Sequence, residues 1–325
     1  MDPLRPAGHP CLGWTPGPSG DRSGTTRGIR ARTATVVGAL LALAACGGSS
    51  GSAASAAAPT AVRSSSPTPQ LRAVLVATQL AVGTDRFPIG ISDHNTPVAN
   101  AIVHVRVYST SGGSTQLKGE ADAPYRGAGL EGHGLYVAHL HFDAAGLWKA
   151  EIAARSVDGA QTVTTLSFGV RIVTQTPMVG QPAPRSHNPT SAGVPDVSYI
   201  DSGQPPDDMH GISIADAIAQ HQPALVVFAT PAFCTSATCG PQVHAVQQLE
   251  PEYRDRMAFI HVEVYQNFKP DPSHRQLSPI MTEWHLQTEP WVFLIDRRGN
   301  VGNVFEGAAA TDELQQAVDQ LLTAA

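Results

Sequence analysis

Val103, Val105 and Val107 alternate with His104, Arg106 and Tyr108, and this period of two recurs along the chain. Tyr136, Ala138, Leu140 and Phe142 alternate with Val137, His139 and His141. Trp148, Ala150 and Ile152 alternate with Lys149 and Glu151, and Leu166, Phe168 and Val170 share one phase. Asp143-Ala-Ala-Gly146 and Asp158-Gly159 supply the turns between runs. Short alternating strands joined by Gly/Asp turns, with no helical period between them, predict an all-β sandwich over residues 71–173.

Beyond residue 196 the pattern changes. A short helix over 212–220 leads into Ala224-Leu-Val-Val-Phe-Ala229, a continuous apolar run of strand length. A helical stripe over 241–254 carries Val243, Val246, Leu249 and Tyr253. A strand over 257–265, a helix over 278–286, a hairpin built on 291–295 and 301–305, and a closing helix over 311–322 follow. Thr311 is placed to cap the last helix, with Glu313 in its first turn. Strands alternating with helices predict an α/β layer structure. The expected fold class is therefore two domains: an immunoglobulin-like sandwich at 71–173 and an α/β domain at 196–325. The Pro-rich stretch 174–195 reads as the linker between them.

Composition and charge narrow the setting. With 21 Lys plus Arg against 27 Asp plus Glu, the net charge of −6 argues against a nucleic-acid partner. Arg27, Arg30 and Arg32 precede the apolar run Val36-Val-Gly-Ala-Leu-Leu-Ala-Leu-Ala-Ala45, which is too short to span a bilayer. Leu43-Ala44-Ala45-Cys46 resembles the bacterial lipobox. The resemblance implies a signal peptide over 1–46, cleavage before Cys46 and acylation of its thiol. Residues 1–26 fit either a long leading region or translation that starts later. Residues 47–70, rich in Ser, Ala, Gly, Pro and Thr, read as a flexible tether to the membrane. The expected location is the cell envelope, on the outer face of the cytoplasmic membrane.

Cleavage and acylation leave Cys234 and Cys239 as the remaining thiols, a pair expected to bond to itself in an oxidising compartment unless something keeps it reduced. They lie in Phe233-Cys-Thr-Ser-Ala-Thr-Cys-Gly-Pro-Gln242. With a cysteine motif directly after a buried strand, VVFATPAFCTSATCGPQ, FIHVEVY and TEPWVFLIDRRGNV together resemble the thioredoxin-like superfamily over 196–325. That likeness implies thiol–disulfide exchange with protein thiols or disulfides, and a cis-proline at Pro290 facing the pair. Cys239-Gly240-Pro241 matches the start of a thioredoxin motif, with Gln242 in place of its second cysteine. Cys239, near a helix N-terminus where free N–H groups favour a thiolate, is the favoured attacker, and Cys234 the resolving partner. The opposite assignment stays open. Val227 stands where the family buries an Asp, and Phe233 where it has Trp. Glu263 and His261, on the adjacent strand, are candidates for a proton relay.

Other readings of the pair compete. Ser236-x-x-Cys239 is similar to a peroxiredoxin motif, but that family's late-strand Arg is missing. Copper delivery needs two thiolates and a distal imidazole, for which His244, His274 and His285 are candidates. A structural disulfide in a non-catalytic, lipid-anchored binding module is the remaining alternative. In the sandwich, His104, His139 and His141 fall on the polar phase and are candidate metal ligands.

Overall fold

The computed structural model describes residues 70–110 and 114–324. The expected signal segment with Cys46, and the expected tether up to residue 69, lie outside the described residues.

Alternation does place the first set of strands. They are β1 (Leu71–Leu75), β2 (Gly83–Asp93), β3 (Thr96–Pro97), β4 (Ala101–Ser109), β5 (Gln116–Asp122), β6 (Tyr125–Arg126), β7 (Leu135–Phe142), β8 (Gly146–Ser156) and β9 (Gln161–Val170). One sheet runs β1-β2-β7-β6 with β3 added to β2, and the other runs β5-β4-β8-β9. Every pairing is antiparallel. The phase read from sequence is the buried one: Val103, Val105, Val107, Tyr136, Ala138, Phe142, Trp148 and Ile152 fill one core between the sheets. This is an immunoglobulin-like β-sandwich.

Tyr136 also has a polar task in that core. Its hydroxyl donates to the Val98 carbonyl and accepts the Ala101 N–H, both at 2.8 Å, and so ties the chain before β4 to β7. Tyr136→Phe leaves both backbone groups unpartnered, and its expected cost is about 1–3 kcal/mol in denaturant unfolding. A loss under ~0.5 kcal/mol would show that the hydroxyl pins nothing.

The rest of the chain is built on α1 (Ile214–Ala219), β10 (Ala224–Ala229), α2 (Cys239–Tyr253), β11 (Ala258–Glu263), β12 (Tyr265–Gln266), β13 (Gln276–Leu277), α3 (Pro279–Glu283), β14 (Trp291–Ile295), β15 (Val301–Glu306) and α4 (Thr311–Thr323). Its main sheet has the order β11-β10-β14-β15. β10 and β11 are parallel, while β14 and β15 run antiparallel to their neighbours. The uninterrupted apolar run of β10 follows from burial on both faces. Val226, Phe228 and Ile260 pack with α1 and α3, whereas Leu225, Val227 and Ala229 pack with α2 and α4.

Three expectations need correction. Residues 174–195 are not a free linker. Gly180 and Ala183 donate to the Val301 and Gly299 carbonyls, Ala215 donates to Ser186, and the buried Asn188 side chain accepts the Ile214 N–H. The segment uses its backbone groups along the free edge of β15 and against α1, which is what a Pro-rich strand can do at an edge. Nor are the sandwich and the α/β layers separate bodies, for the described residues belong to one compact unit. Leu130, Leu135 and Val137 share a core with Ala245, Ala308 and Ala310, and the Glu306 carboxylate accepts the Thr78 and Gln79 N–H groups. Finally, Thr311 is the first residue of α4 rather than its cap. It donates to the Ala128 carbonyl, and Glu313 accepts the Ala310 N–H.

Candidate functional site

After β10 the chain turns back on itself. The Phe233 and Cys234 N–H groups both donate to the Thr230 carbonyl, at 3.3 and 3.1 Å. Ala237 then takes φ of +57°, a left-handed conformation that costs a residue with a Cβ roughly 1–2 kcal/mol. The reversal aims the N–H groups of Thr238 and Cys239 at the Cys234 sulfur, and both donate to it. Successive amides turned toward one point make an anion cradle. Thr238, at the N-cap of α2, gives the helix no side-chain bond, and its hydroxyl pairs with Ser236 Oγ at 2.8 Å. The sulfur of Cys234 thus takes the place of the usual capping oxygen.

Both cysteines are free thiols, Cys234 half-buried and Cys239 fully buried. Their Sγ atoms and a Glu289 carboxylate oxygen lie within 4.8 Å of one another. The Cys239 thiol donates to Cys234, and with Ser236 Oγ at 3.2 Å and the two amides it draws Cys234 down to about 4, against the opposing effect of burial. Cys239 is driven far up, first by that donated hydrogen and then by burial, with only partial relief from the Thr230 N–H.

These directions favour the assignment left open from sequence, with Cys234 the more acidic thiol. α2 starts at Cys239, two residues before the expected Pro241, so the Cys239 side chain turns into the core with Leu225, Val227 and Val243. The free N–H groups of the first turn face the preceding loop, and the sulfur they meet is that of Cys234.

Glu289 is a site residue that sequence reading missed. It joins Pro290 through a cis bond, as the resemblance implied for Pro290. Burial raises the Glu289 carboxyl, and the charges of Cys234 and Glu263 push the same way. An acid immediately before the expected cis-proline was the available signal. Arg275 had none: its guanidinium sits 5.1 Å from the Phe233 ring and 5.6 Å from the Tyr265 ring, and Phe233 meets Phe268 edge-on at 5.6 Å.

The relay residues are engaged elsewhere. Glu263 accepts the Ser202 and Tyr265 N–H groups at 2.9 and 3.2 Å. His261 Nδ1 lies 2.7 Å from Asp207 Oδ2, and its Nε2 lies 3.2 Å from the Ala229 carbonyl. His261 reaches Cys239 through the peptide group joining residues 229 and 230, whose N–H bonds the sulfur. That link carries polarisation rather than a proton.

The candidate metal ligands do not converge. His104 stands on β4 in one sheet, bonded to Asp122 at 2.8 Å, while His139 and His141 stand on β7 in the other. His244 pairs with Glu131 at 2.9 Å. Among the described residues, the group at the thiols that could hold a metal contains Glu289 and no histidine. No described helix is long and apolar enough to cross a membrane.

No family model matches the chain, and no curated protein matches it. Solved structures give slight likenesses. The PmoD soluble domain from Methylocystis sp. ATCC 49242 (Rockwell) is 9% identical with a TM-score of 0.22, over 31% of this chain and 90% of that one. Murine CRIg is 13% identical with a TM-score of 0.20, over 32% of this chain and 97% of that one. A lipoprotein from Bacteroides thetaiotaomicron is 14% identical with a TM-score of 0.19, over 32% and 80%. Nothing about function rests on likeness this slight.

Proposed function

We propose that the chain is a thiol–disulfide oxidoreductase of thioredoxin-like architecture, acting on protein thiols or disulfides in the cell envelope. Cys234 is the exchanging sulfur and Cys239 the resolving one. The observation that carries this reading is the placement of two adjacent free thiols, one half-buried in a cradle of donors and one sealed in the core. A structural staple has no use for that division. The sheet order β11-β10-β14-β15 and the cis Glu289–Pro290 bond beside the pair support the thioredoxin-like assignment. The lipobox-like Leu43-Ala44-Ala45-Cys46 supports the envelope location and a lipid anchor at Cys46.

The chemistry runs through a mixed disulfide. A thiolate of the partner attacks Cys234 Sγ of the oxidised pair, the Cys234–Cys239 bond breaks, and Cys239 leaves with a proton. The partner's second thiolate then attacks its own bridged sulfur and releases Cys234 as a thiolate. Two electrons pass from the partner's dithiol to the pair, the partner gains a disulfide, and one proton goes to solvent. A low-pKa thiol leaves readily, and a stabilised reduced form makes an oxidant, so electrons flow toward this protein. The Phe233, Tyr265 and Arg275 group beside the motif offers a partner chain an aromatic and cationic surface.

Trapping tests the assignment. Reduced Cys239→Ser, offered an activated aromatic disulfide whose thiolate leaves as readily as Cys234, accumulates a mixed disulfide at Cys234, whereas Cys234→Ser accumulates none. Trapping by Cys234→Ser alone would reassign the attacker. No trapping by either variant would leave the non-catalytic binding module.

A second reading has one observation in its favour. Two thiolates and the Glu289 carboxylate within 4.8 Å of one another form a donor set for Cu(I). Copper delivery then predicts stoichiometric Cu(I) uptake that each Cys→Ser variant abolishes, without turnover of disulfides.

A further inference from the structure

A second polar centre lies under the segment that leads from Asp201 to His210. Asp201, Asp207, His210 and His261 each present one donor atom, and the four atoms lie within 4.8 Å of one another. Their side chains are 1–3% exposed or less. Two carboxylates and two imidazoles seldom go so deep without a cation to share.

The separations tell which cation. His261 Nδ1 stands 2.7 Å from Asp207 Oδ2 and 3.9 Å from Asp201 Oδ1, and His210 Nε2 stands 3.2 Å from Asp207 Oδ1 and 3.4 Å from Asp201 Oδ2. Proton-shared contacts between imidazolium and carboxylate gather near ~2.7–2.9 Å, and just one of these four does so. An ion held tetrahedrally at about 2.0–2.1 Å sets its donors roughly 3.4 Å apart, and one atom from each of the four residues lies within 4.8 Å of the others.

The surroundings orient the donors as a metal would need. His261 Nε2 donates to the Ala229 carbonyl, so Nδ1 is the nitrogen that faces the carboxylates, and an ion would replace the proton it shares with Asp207. Asp201 accepts the Gly203 and Asp207 N–H groups at 2.7 and 2.6 Å, and Asp207 accepts that of Met209 at 2.9 Å. Each carboxylate is thereby held in one orientation by the backbone. A doubly charged cation would keep the buried group neutral when it displaces the two imidazole protons that now balance the carboxylates.

We propose that Asp201, Asp207, His210 and His261 form a structural site for a zinc-class divalent ion, which fastens the irregular 201–210 segment to β11. The Met209 carbonyl already accepts the His261 N–H at 2.8 Å, so ion and strand edge hold the same loop. Neither thiol is among the four ligands.

The experiment therefore uses the full chain carrying Cys234→Ser and Cys239→Ser. Purified without chelator and dialysed, it retains one zinc per chain, and its melting temperature falls when zinc is stripped and returns on zinc addition. His210→Ala and Asp207→Asn retain less than a tenth as much, while His139→Ala and His141→Ala retain all of it. Should the first two variants fail to fold, cobalt(II) exchanged into the double-serine chain shows the visible bands of a tetrahedral N/O site, bleached by zinc. Retention below a tenth of an ion with no cobalt bands, or retention that survives loss of His210, overturns the proposal.

Discussion

Between pH 5 and 8, a thiol-directed alkylating agent modifies Cys234 of the reduced protein at a nearly constant rate and leaves Cys239 intact. An ordinary thiol, with its pKa near 8.5, reacts about tenfold faster for each pH unit over that span. Cys234, brought to about 4 by the Cys239 thiol, Ser236 and two backbone amides, is already thiolate throughout. Its lowered basicity weakens it as a nucleophile, so the flat profile rather than a high rate is the signature. Cys234→Ser removes the reaction by at least ~100-fold, because the remaining thiol is protonated and sealed from solvent. A rate climbing steadily to pH 8 would refute the cradle.

The same acidity sets how the reduced protein responds to pH. The folded value of Cys234 lies below the unfolded one, so its contribution is complete above the ordinary thiol range and is lost as pH falls through about 4. Cys239 is raised and acts in the opposite sense, removing stability once an unfolded thiol would ionise. The difference in stability between the reduced parent and Cys234→Ser, in which the other titrating groups cancel, is expected to grow from pH 4 to about 8. The pair's reduction potential is expected to be less negative than the roughly −270 mV of thioredoxin.

Strand alternation and the apolar run of β10 were legible in sequence because each depends on neighbours one or two residues away. Val103 to Val107 and Trp148 to Ile152 announce their own burial by period. The acidity order was not legible, because it depends on a two-residue difference in where α2 begins and on the left-handed turn at Ala237. Glu289 comes to the thiols and Arg275 to the Phe233 ring from distant segments, as do Asp201, Asp207 and His210 to His261. Those are tertiary facts, and no local spacing encodes them. Residues 174–195 were misread for the converse reason: Pro and Gly mark a chain that forms no helix, and an edge strap needs none.

Arg86→Met is expected to cost about 3–5 kcal/mol and to split unfolding into two transitions. The guanidinium makes paired bonds of 3.1 Å to both Glu313 carboxylate oxygens, with side-chain exposures of 9% and 10%. It also donates to the Glu306 and Ala308 carbonyls at 3.0 and 2.8 Å and lies 5.7 Å from the Phe305 ring. Arg86 belongs to β2 of the sandwich, whereas all its partners belong to β15, α4 or the loop between them. Methionine fills the volume but leaves a nearly sealed carboxylate without its countercharge, keeping the Ala310 N–H, and takes the guanidinium donors from two carbonyls, a penalty larger than the pair's own net worth. The α4 it anchors packs against α2, whose first turn cradles Cys234. Loosening this joint therefore reaches the thiol: Cys234 alkylation in Arg86→Met regains part of the ordinary pH dependence, while Arg106→Met, on the exposed face of β4, leaves both stability and profile unchanged. If Arg86→Met unfolds in a single transition within ~1 kcal/mol of the parent, the two halves are held by their shared apolar core alone.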